Sequence, residues 1–230
     1  MIISEEYTQE LLHKYYAIAV SSIEKIQGYE DQNFLFKDSS GRKFIAKVTA
    51  DATDPSFIDT QLRAMEHLFR KDGKITIPEV IFNVAGNSLT LIYSEDTTVC
   101  LRVLSFLEGT FMGDLAHTPV SVFESLGTLL ATMDAHLKDF SHPAAYRFNE
   151  WDLAQVLNCK TDLHHIVDHE KRTIADYFLL QYEMEVLPLR HLLRKSVIHN
   201  DANDYNVLVK DGKVSGIIDF GDMVESELIN

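Results

Sequence analysis

The sequence predicts an α+β protein of two lobes, a small β-rich one over residues 1–104 and a mainly helical one over 105–230. Three observations carry this expectation. Residues 23–50 and 77–107 consist of short alternating apolar segments broken by Gly, Asn and Asp, the pattern of antiparallel strands. Much of 119–193 instead carries apolar side chains at helical spacing. Two short β-branched runs then flank Asp211-Gly212, a strong hairpin turn. Strands and helices are segregated along the chain rather than alternating, which separates α+β from α/β architecture.

A first helix is expected over residues 4–17, where Tyr7, Leu11, Leu12, Tyr15 and Tyr16 fall near helical spacing behind Ser4, a natural cap. Residues 23–50 then change character, and IQGYEDQNFLFKDSSGRKFIAKVTA reads as a meander broken at Gly28 and at DSSG. Helical period returns over 55–70 through Phe57, Leu62, Met65 and Phe69. After a turn at 71–74, IPEVIFNVAGNSLTLIYS supplies strands around an AGN turn, and VCLRVLSFLEG one more strand ending in a connector at Glu108 and Gly109. Residues 119–138 and 151–193 read mainly as helices, with Pro143 and Pro188 as interruptions and Trp151 as a core anchor.

Composition narrows the function. A hydrophobic content of 46% supports a packed core. The net charge of −14 would repel nucleic-acid phosphates and suits cationic small molecules or metal ions. Two cysteines, Cys100 and Cys159, are too few for a disulfide framework and read as buried small apolar residues in a reducing compartment. The first residues are acidic where a signal peptide is basic, and no apolar run reaches the roughly 18 residues that span a bilayer. The expectation is a soluble cytoplasmic protein whose partners include neither nucleic acid nor membrane.

The chemistry concentrates near the end. In VIHNDANDYNVLV, Asn206 follows Asp201 by five positions, and Asp219-Phe220-Gly221 comes after the hairpin turn. Phosphoryl transfer needs little beyond positioned charge for phosphates, a metal and an acceptor hydroxyl. The spacing resembles H-R-D-x-x-x-x-N and D-F-G, in which one loop supplies a base and an amide oxygen and the next strand a second oxygen ligand for a hard cation. The plainer reading has Asp201, Asn203 and Asp204 capping turns and Asp219 ending a strand. Three polar positions at these spacings across a hairpin favour the chemical reading. Lys47 in KFIAKVTA shares a strand face with Ile45 and Thr49, which lets its ammonium point into a cleft. His165 and His169 stand at i, i+4, a zinc-competent spacing on one helix face, but no third ligand accompanies them, and a solvated polar face is the better reading.

These residues, with IQGYEDQNF, FIAK and the Trp151-Asp152-Leu153 step, resemble the aminoglycoside phosphotransferase and choline kinase group of small-molecule kinases. Its hydroxylysine-kinase-like branch is the nearest, and the resemblance runs from about Ile23 onward. The resemblance implies a protein-kinase-like two-lobed fold, ATP or GTP as phosphate donor, and Mg²⁺. It implies that Asp201 is the catalytic base, that His199 braces its loop, and that Asn206 and Asp219 are the metal ligands. Lys47 would contact the α- and β-phosphates. The hairpin with Gly28, Asp31, Gln32 and Asn33 would close over the phosphates through backbone N–H groups, and residues 103–107, Phe106 among them, would grip the purine. The acidic partner of Lys47 stays open among Asp59, Gln61 and Glu66, with Asp59 preferred.

The expected activity is transfer of a γ-phosphate to a hydroxyl of a small, amine-bearing metabolite. Two other readings remain: a catalytically silent nucleotide-binding module of a larger fused protein, and an aminoglycoside-modifying kinase. Eleven residues follow Asp219 (230 − 219), where the resembling family continues into further helices. A fragment, or the front of a protein with fused C-terminal domains, is therefore expected.

Overall fold

The computed structural model describes residues 2–28, 31–50, 54–93 and 98–229. Along them the order opens with α1 (Glu5–Tyr16), β1 (Val20–Ile26), β2 (Gln32–Asp38), β3 (Lys43–Thr49) and α2 (Ser56–Lys71). There follow β4 (Val80–Ile81), β5 (Thr90–Tyr93), β6 (Thr98–Ser105), β7 (Thr110–Phe111) and α3 (Val120–Leu137). The remainder holds α4 (His169–Gln181), β8 (Lys195–Ile198), β9 (Val207–Lys210), β10 (Lys213–Ile217) and β11 (Val224–Glu227). Two compact units emerge: Met1–Leu129 with Asn203–Ile218, and Leu130–Ala202 with Asp219–Asn230.

In the first unit an antiparallel sheet has the order β1-β2-β3-β6-β4, with β5 also pairing β6. Alternation does what the sequence suggests. Phe34 and Phe36 on β2, with Phe44, Ala46 and Val48 on β3, turn inward, while Lys43, Ile45, Lys47 and Thr49 occupy the other face. The inward face packs against Leu11, Leu12 and Tyr16 of α1, forming one apolar cluster with Leu101 and Val103 of β6. Phe36 stacks on Phe44 at 5.3 Å between centroids. The Ser4 side chain caps α1 by accepting from the Tyr7 N–H at 3.2 Å, and Ala17 ends the helix in the left-handed region at φ 54°. The single buried hydroxyl of Tyr16 is satisfied by donating to the Leu101 carbonyl at 3.3 Å.

A second small sheet of this unit has the order β10-β9-β7. Asp211 and Gly212 both adopt positive φ, 52° and 72°, as a type I′ hairpin turn between β9 and β10 requires. Gly109 lies so close to this sheet that a Cβ would meet Ser215 Oγ at 2.5 Å.

The second unit departs from expectation in two places. Residues 151–193 are not continuous α-helix: a 3-10 stretch, Leu153–His165, precedes α4, and a π turn, Tyr182–Val186, leads into 3-10 residues Leu187–Leu192. Pro188 lies at the start of that last stretch, where its missing N–H costs nothing. Nor is VIHNDANDYNVLV a single hairpin arm opposite VSGIID, because it divides into two strands with different partners. β8 pairs antiparallel with β11, Ile198 opposite Val224, whereas β9 pairs with β10. Among the described residues no helix is long and apolar enough to cross a membrane.

Trp151 is 71% exposed rather than a core anchor. The Asn149 Oδ1 accepts its backbone N–H at 2.8 Å and turns the chain, so that Asp152, not the indole, goes inside. There the Asp152 carboxylate accepts from the Ala154 N–H at 2.9 Å and the Ser226 hydroxyl at 2.7 Å. Cys100 is buried as expected, and Cys159 is exposed.

Candidate active site

In the first unit the sheet register sets Asn33, Lys47 and Arg102 side by side across β2, β3 and β6. Directly opposed residues of antiparallel strands project to one face, so all three lie on the face away from the apolar cluster. Asp31, just before β2, turns its carboxylate into this row. One oxygen lies 3.2 Å from Lys47 Nζ and 2.5 Å from Arg102 Nη2, and the other accepts from the Thr49 hydroxyl at 2.5 Å. Arg102 Nη1 also donates to that hydroxyl at 3.0 Å. The Arg102 side chain is 4% exposed, which leaves a desolvated guanidinium that needs its carboxylate.

The Lys47 neighbour that sequence reasoning missed is thus Asp31, a residue expected to act only through its backbone. The one signal for it was an acidic residue in the candidate phosphate hairpin. Asp59, the preferred partner, accepts from Arg63 Nε at 2.5 Å one turn along α2. Burial pushes the Asp31 carboxyl up, but Arg102, Lys47 and the Thr49 hydroxyl more than offset it and hold the pKa at about 2, below the ordinary 3.8. A depressed carboxylate stabilises the fold above its unfolded pKa, and that contribution disappears as pH falls through its folded one. Thermal melts should therefore show about 2 kcal/mol of stability lost between about pH 4 and pH 2 that Asp31→Asn no longer loses.

Other parts of the hairpin differ from expectation. Gln32 and its successors belong to β2, flanked by β1 and β3, so their N–H groups serve ladders rather than a free phosphate loop. The Gln32 side chain accepts from the Ile3 N–H at 2.9 Å and from Lys25 Nζ at 2.8 Å. Gly28 has a steric reason, since a Cβ there would meet the Asp31 carbonyl at 2.2 Å. Asn33 donates through Nδ2 to the Gln27 carbonyl at 3.2 Å, while its buried Oδ1 has no hydrogen-bond partner among the described residues. Tyr29 and Glu30 of the same stretch lie outside the described residues. Phe106 follows β6; its N–H donates to the Lys43 carbonyl at 3.3 Å and its ring lies 4.8 Å from Lys43 Nζ. Asn206 sits in a turn closed by its own N–H on the Asn203 carbonyl at 3.1 Å, and its carbonyl accepts from the Ile218 N–H at 2.9 Å.

In the second unit the β8–β11 pairing does the positioning. Ile198 opposite Val224 makes the segments 199–202 and 219–223 leave the same end of one ladder. His199 is 4% exposed and meets Phe220 edge to face at 4.8 Å between centroids. The Asp201 N–H donates to His199 Nδ1 at 3.3 Å, which places the proton of the neutral ring on Nε2. Asp219 adopts φ 59° and its Oδ1 accepts from the Gly221 N–H at 3.2 Å; Asn200 adopts φ 65°. The segments that carry both aspartates of the motif thus leave one end of the ladder, and the His199–Phe220 contact joins them.

Two holders of this site were not foreseen. Arg147 donates to the carbonyls of Gly221 at 2.9 Å and Met223 at 3.3 Å. Asn149, 5% exposed, donates to the Asp222 carbonyl and carboxylate, each at 3.0 Å. Their only sequence signal was proximity to Trp151-Asp152-Leu153. The Asn200 side-chain N–H₂ beside them is buried and has no hydrogen-bond partner among the described residues. His165 and His169 do not share a helix face, because the 3-10 stretch ends at His165 and α4, capped by Asp168, begins at His169. Among the described residues no three His, Cys, Asp or Glu side chains gather as a metal-binding group.

The family model for the phosphotransferase enzyme family, APH, matches residues 22–227. Hydroxylysine kinase of Xenopus laevis is 28% identical over 247 residues, covering 96% of this chain and 65% of the relative. That of Danio rerio is 27% identical over 236 residues, covering 96% and 66%. The chain spans just under two thirds of the length of these curated relatives. Among solved structures, amicoumacin kinase hAmiN in complex with AMP-PNP, Ca²⁺ and Ami has a TM-score of 0.70 at 17% identity, over 99% of this chain and 66% of that one. A microcompartment-associated aminopropanol kinase gives 0.63 at 19% identity, over 98% and 71%. These likenesses show the fold, an α+β protein-kinase-like one.

Proposed function

The chain belongs to the phosphotransferase enzyme family, and on that premise we propose that it moves the γ-phosphate of ATP or GTP to a hydroxyl of a small, amine-bearing molecule. One observation carries the reading. The loops His199-Asn200-Asp201 and Asp219-Phe220-Gly221 leave one end of the β8–β11 ladder and are locked by the His199–Phe220 contact. The names of the relatives support the substrate class, since hydroxylysine and aminopropanol each pair a hydroxyl with an amine.

In this reading Asp201 takes the proton of the acceptor hydroxyl as its oxygen attacks the γ-phosphorus and the bond to the nucleoside diphosphate breaks. His199 holds the Asp201 loop through its Nδ1. Lys47 neutralises phosphate charge. Asn206 and Asp219 offer an amide and a carboxylate oxygen, a donor set that fits Mg²⁺, which favours one or two carboxylates plus phosphates and water. The bound ion would neutralise charge on the phosphate oxygens. Residues 1–104 serve the nucleotide, and 105–230 supply the base and the metal ligands.

The test is direct. Calorimetric titration with Mg·ATP and Mg·GTP should show binding of at least one. Product analysis over hydroxylysine, aminopropanol and an aminoglycoside should then find a phosphorylated amine, lost in Asp219→Ala. Nucleotide binding without turnover on any of them would favour a silent module instead.

A further inference from the structure

We propose that Asp31 is a positioning residue for Lys47, and that Arg102 and Thr49 hold it in that task. This rests on the nucleotide-binding role given to Lys47 above. A carboxylate from the strand entry that the phosphate hairpin runs into, Asp31, lies 3.2 Å from the Lys47 ammonium. Asp31 lies three positions after Gly28, where the backbone passes too close for any side chain. The hairpin end and the lysine are therefore fastened at one point.

The contacts explain how one carboxylate can serve two cations. Arg102 stands directly opposite Lys47 in the β3–β6 register, and its guanidinium reaches Asp31 at 2.5 Å and Thr49 at 3.0 Å. The Thr49 hydroxyl adds a third hold on Asp31 at 2.5 Å. Lys47 makes the longest of these contacts, 3.2 Å, and its side chain is the more exposed of the two cations, 12% against 4%. Arg102 and Thr49 grip Asp31 independently of Lys47. The ammonium can therefore turn toward a phosphate without leaving a buried carboxylate unpaired, a loss that burial would make costly. Asp31 fixes where the lysine waits, and Arg102 keeps Asp31 in place after the lysine has turned.

A double-mutant cycle tests this, read by calorimetry with Mg·ATP and, separately, adenosine. Asp31→Asn should weaken Mg·ATP binding about tenfold, leave adenosine binding unchanged, and add nothing in a Lys47→Met background, as expected of residues that act through one another. An equal loss for adenosine, or an undiminished effect of Asp31→Asn in the Lys47→Met chain, overturns the inference while leaving the nucleotide role of Lys47 intact. Unchanged Mg·ATP affinity in Lys47→Met alone overturns both. Should Asp31→Asn fail to fold, the Asp31→Asn/Arg102→Met pair removes the buried cation together with its carboxylate. It should melt near the wild type yet show the same loss for Mg·ATP, and wild-type affinity there would sink the proposal.

Discussion

Asp201→Asn is expected to lower the rate of phosphoryl transfer by about 10²–10⁴-fold while nucleotide affinity and melting temperature stay near wild type. The size follows from the role. A positioned base contributes only as the hydroxyl proton leaves, so its removal falls on kcat and not on nucleotide binding. The fold should tolerate the change because the link that shapes this loop uses the Asp201 backbone N–H on His199 Nδ1, which asparagine keeps. Steady-state kinetics on the acceptor found by product analysis, set beside a thermal melt, check both halves. A rate within a few-fold of wild type would remove Asp201 from the chemistry, as expected of turn-capping residues.

Glu227→Ala is expected to cost about 3–5 kcal/mol of stability, the largest loss of any single substitution considered. Glu227 is 1% exposed and receives Arg190 through both Nη2 and Nε at 2.8–3.0 Å, with Lys195 at 3.4 Å. Burial pushes its carboxyl up, and the Arg190 hydrogen bonds outweigh this and hold it below the ordinary range. Deleting it strands the Arg190 guanidinium, which also donates to the Ala154 carbonyl at 3.2 Å. The pair variant Glu227→Met/Arg190→Leu should recover most of the loss, because hydrophobic replacement of a buried pair is often neutral. Denaturant titrations of the two variants decide it: equal destabilisation would show that the ion pair is not what Glu227 contributes.

What could be read from the sequence was what depends on near neighbours. The face of β3 that carries Lys47 followed from strict alternation, because Phe44, Ala46 and Val48 have one periodicity and Lys47 the other. The Asp211-Gly212 turn followed from residues that accept positive φ. The protein-kinase-like fold followed from the family resemblance that the motifs around Asp201, Asn206 and Asp219 carry. What escaped was set by partners distant in sequence. Nothing near residue 195 says that β8 will pair with β11 and not with β9, since both are short β-branched runs. Trp151 looked like a core residue by hydrophobicity alone, yet Asn149 diverted the chain and buried Asp152. Helical period over 151–193 was real, but 3-10 and π geometry took up much of it, with Phe178 and Leu192 left 65% and 69% exposed. The Asp31 carboxylate escaped for the same reason: Arg102 is 71 positions away.

Asn200 and Asp219 both hold left-handed backbone angles, which glycine adopts freely and which Asn and Asp tolerate better than other side chains. Glycine at either place would relieve the backbone strain that is left. A directed-evolution campaign scored on heat resistance alone would drift toward glycine at both, and at residue 219 each gain would discard the carboxylate. Thermostabilisation of this protein is best pursued with the pair 200 and 219 left untouched and the screening spread over the rest of the chain.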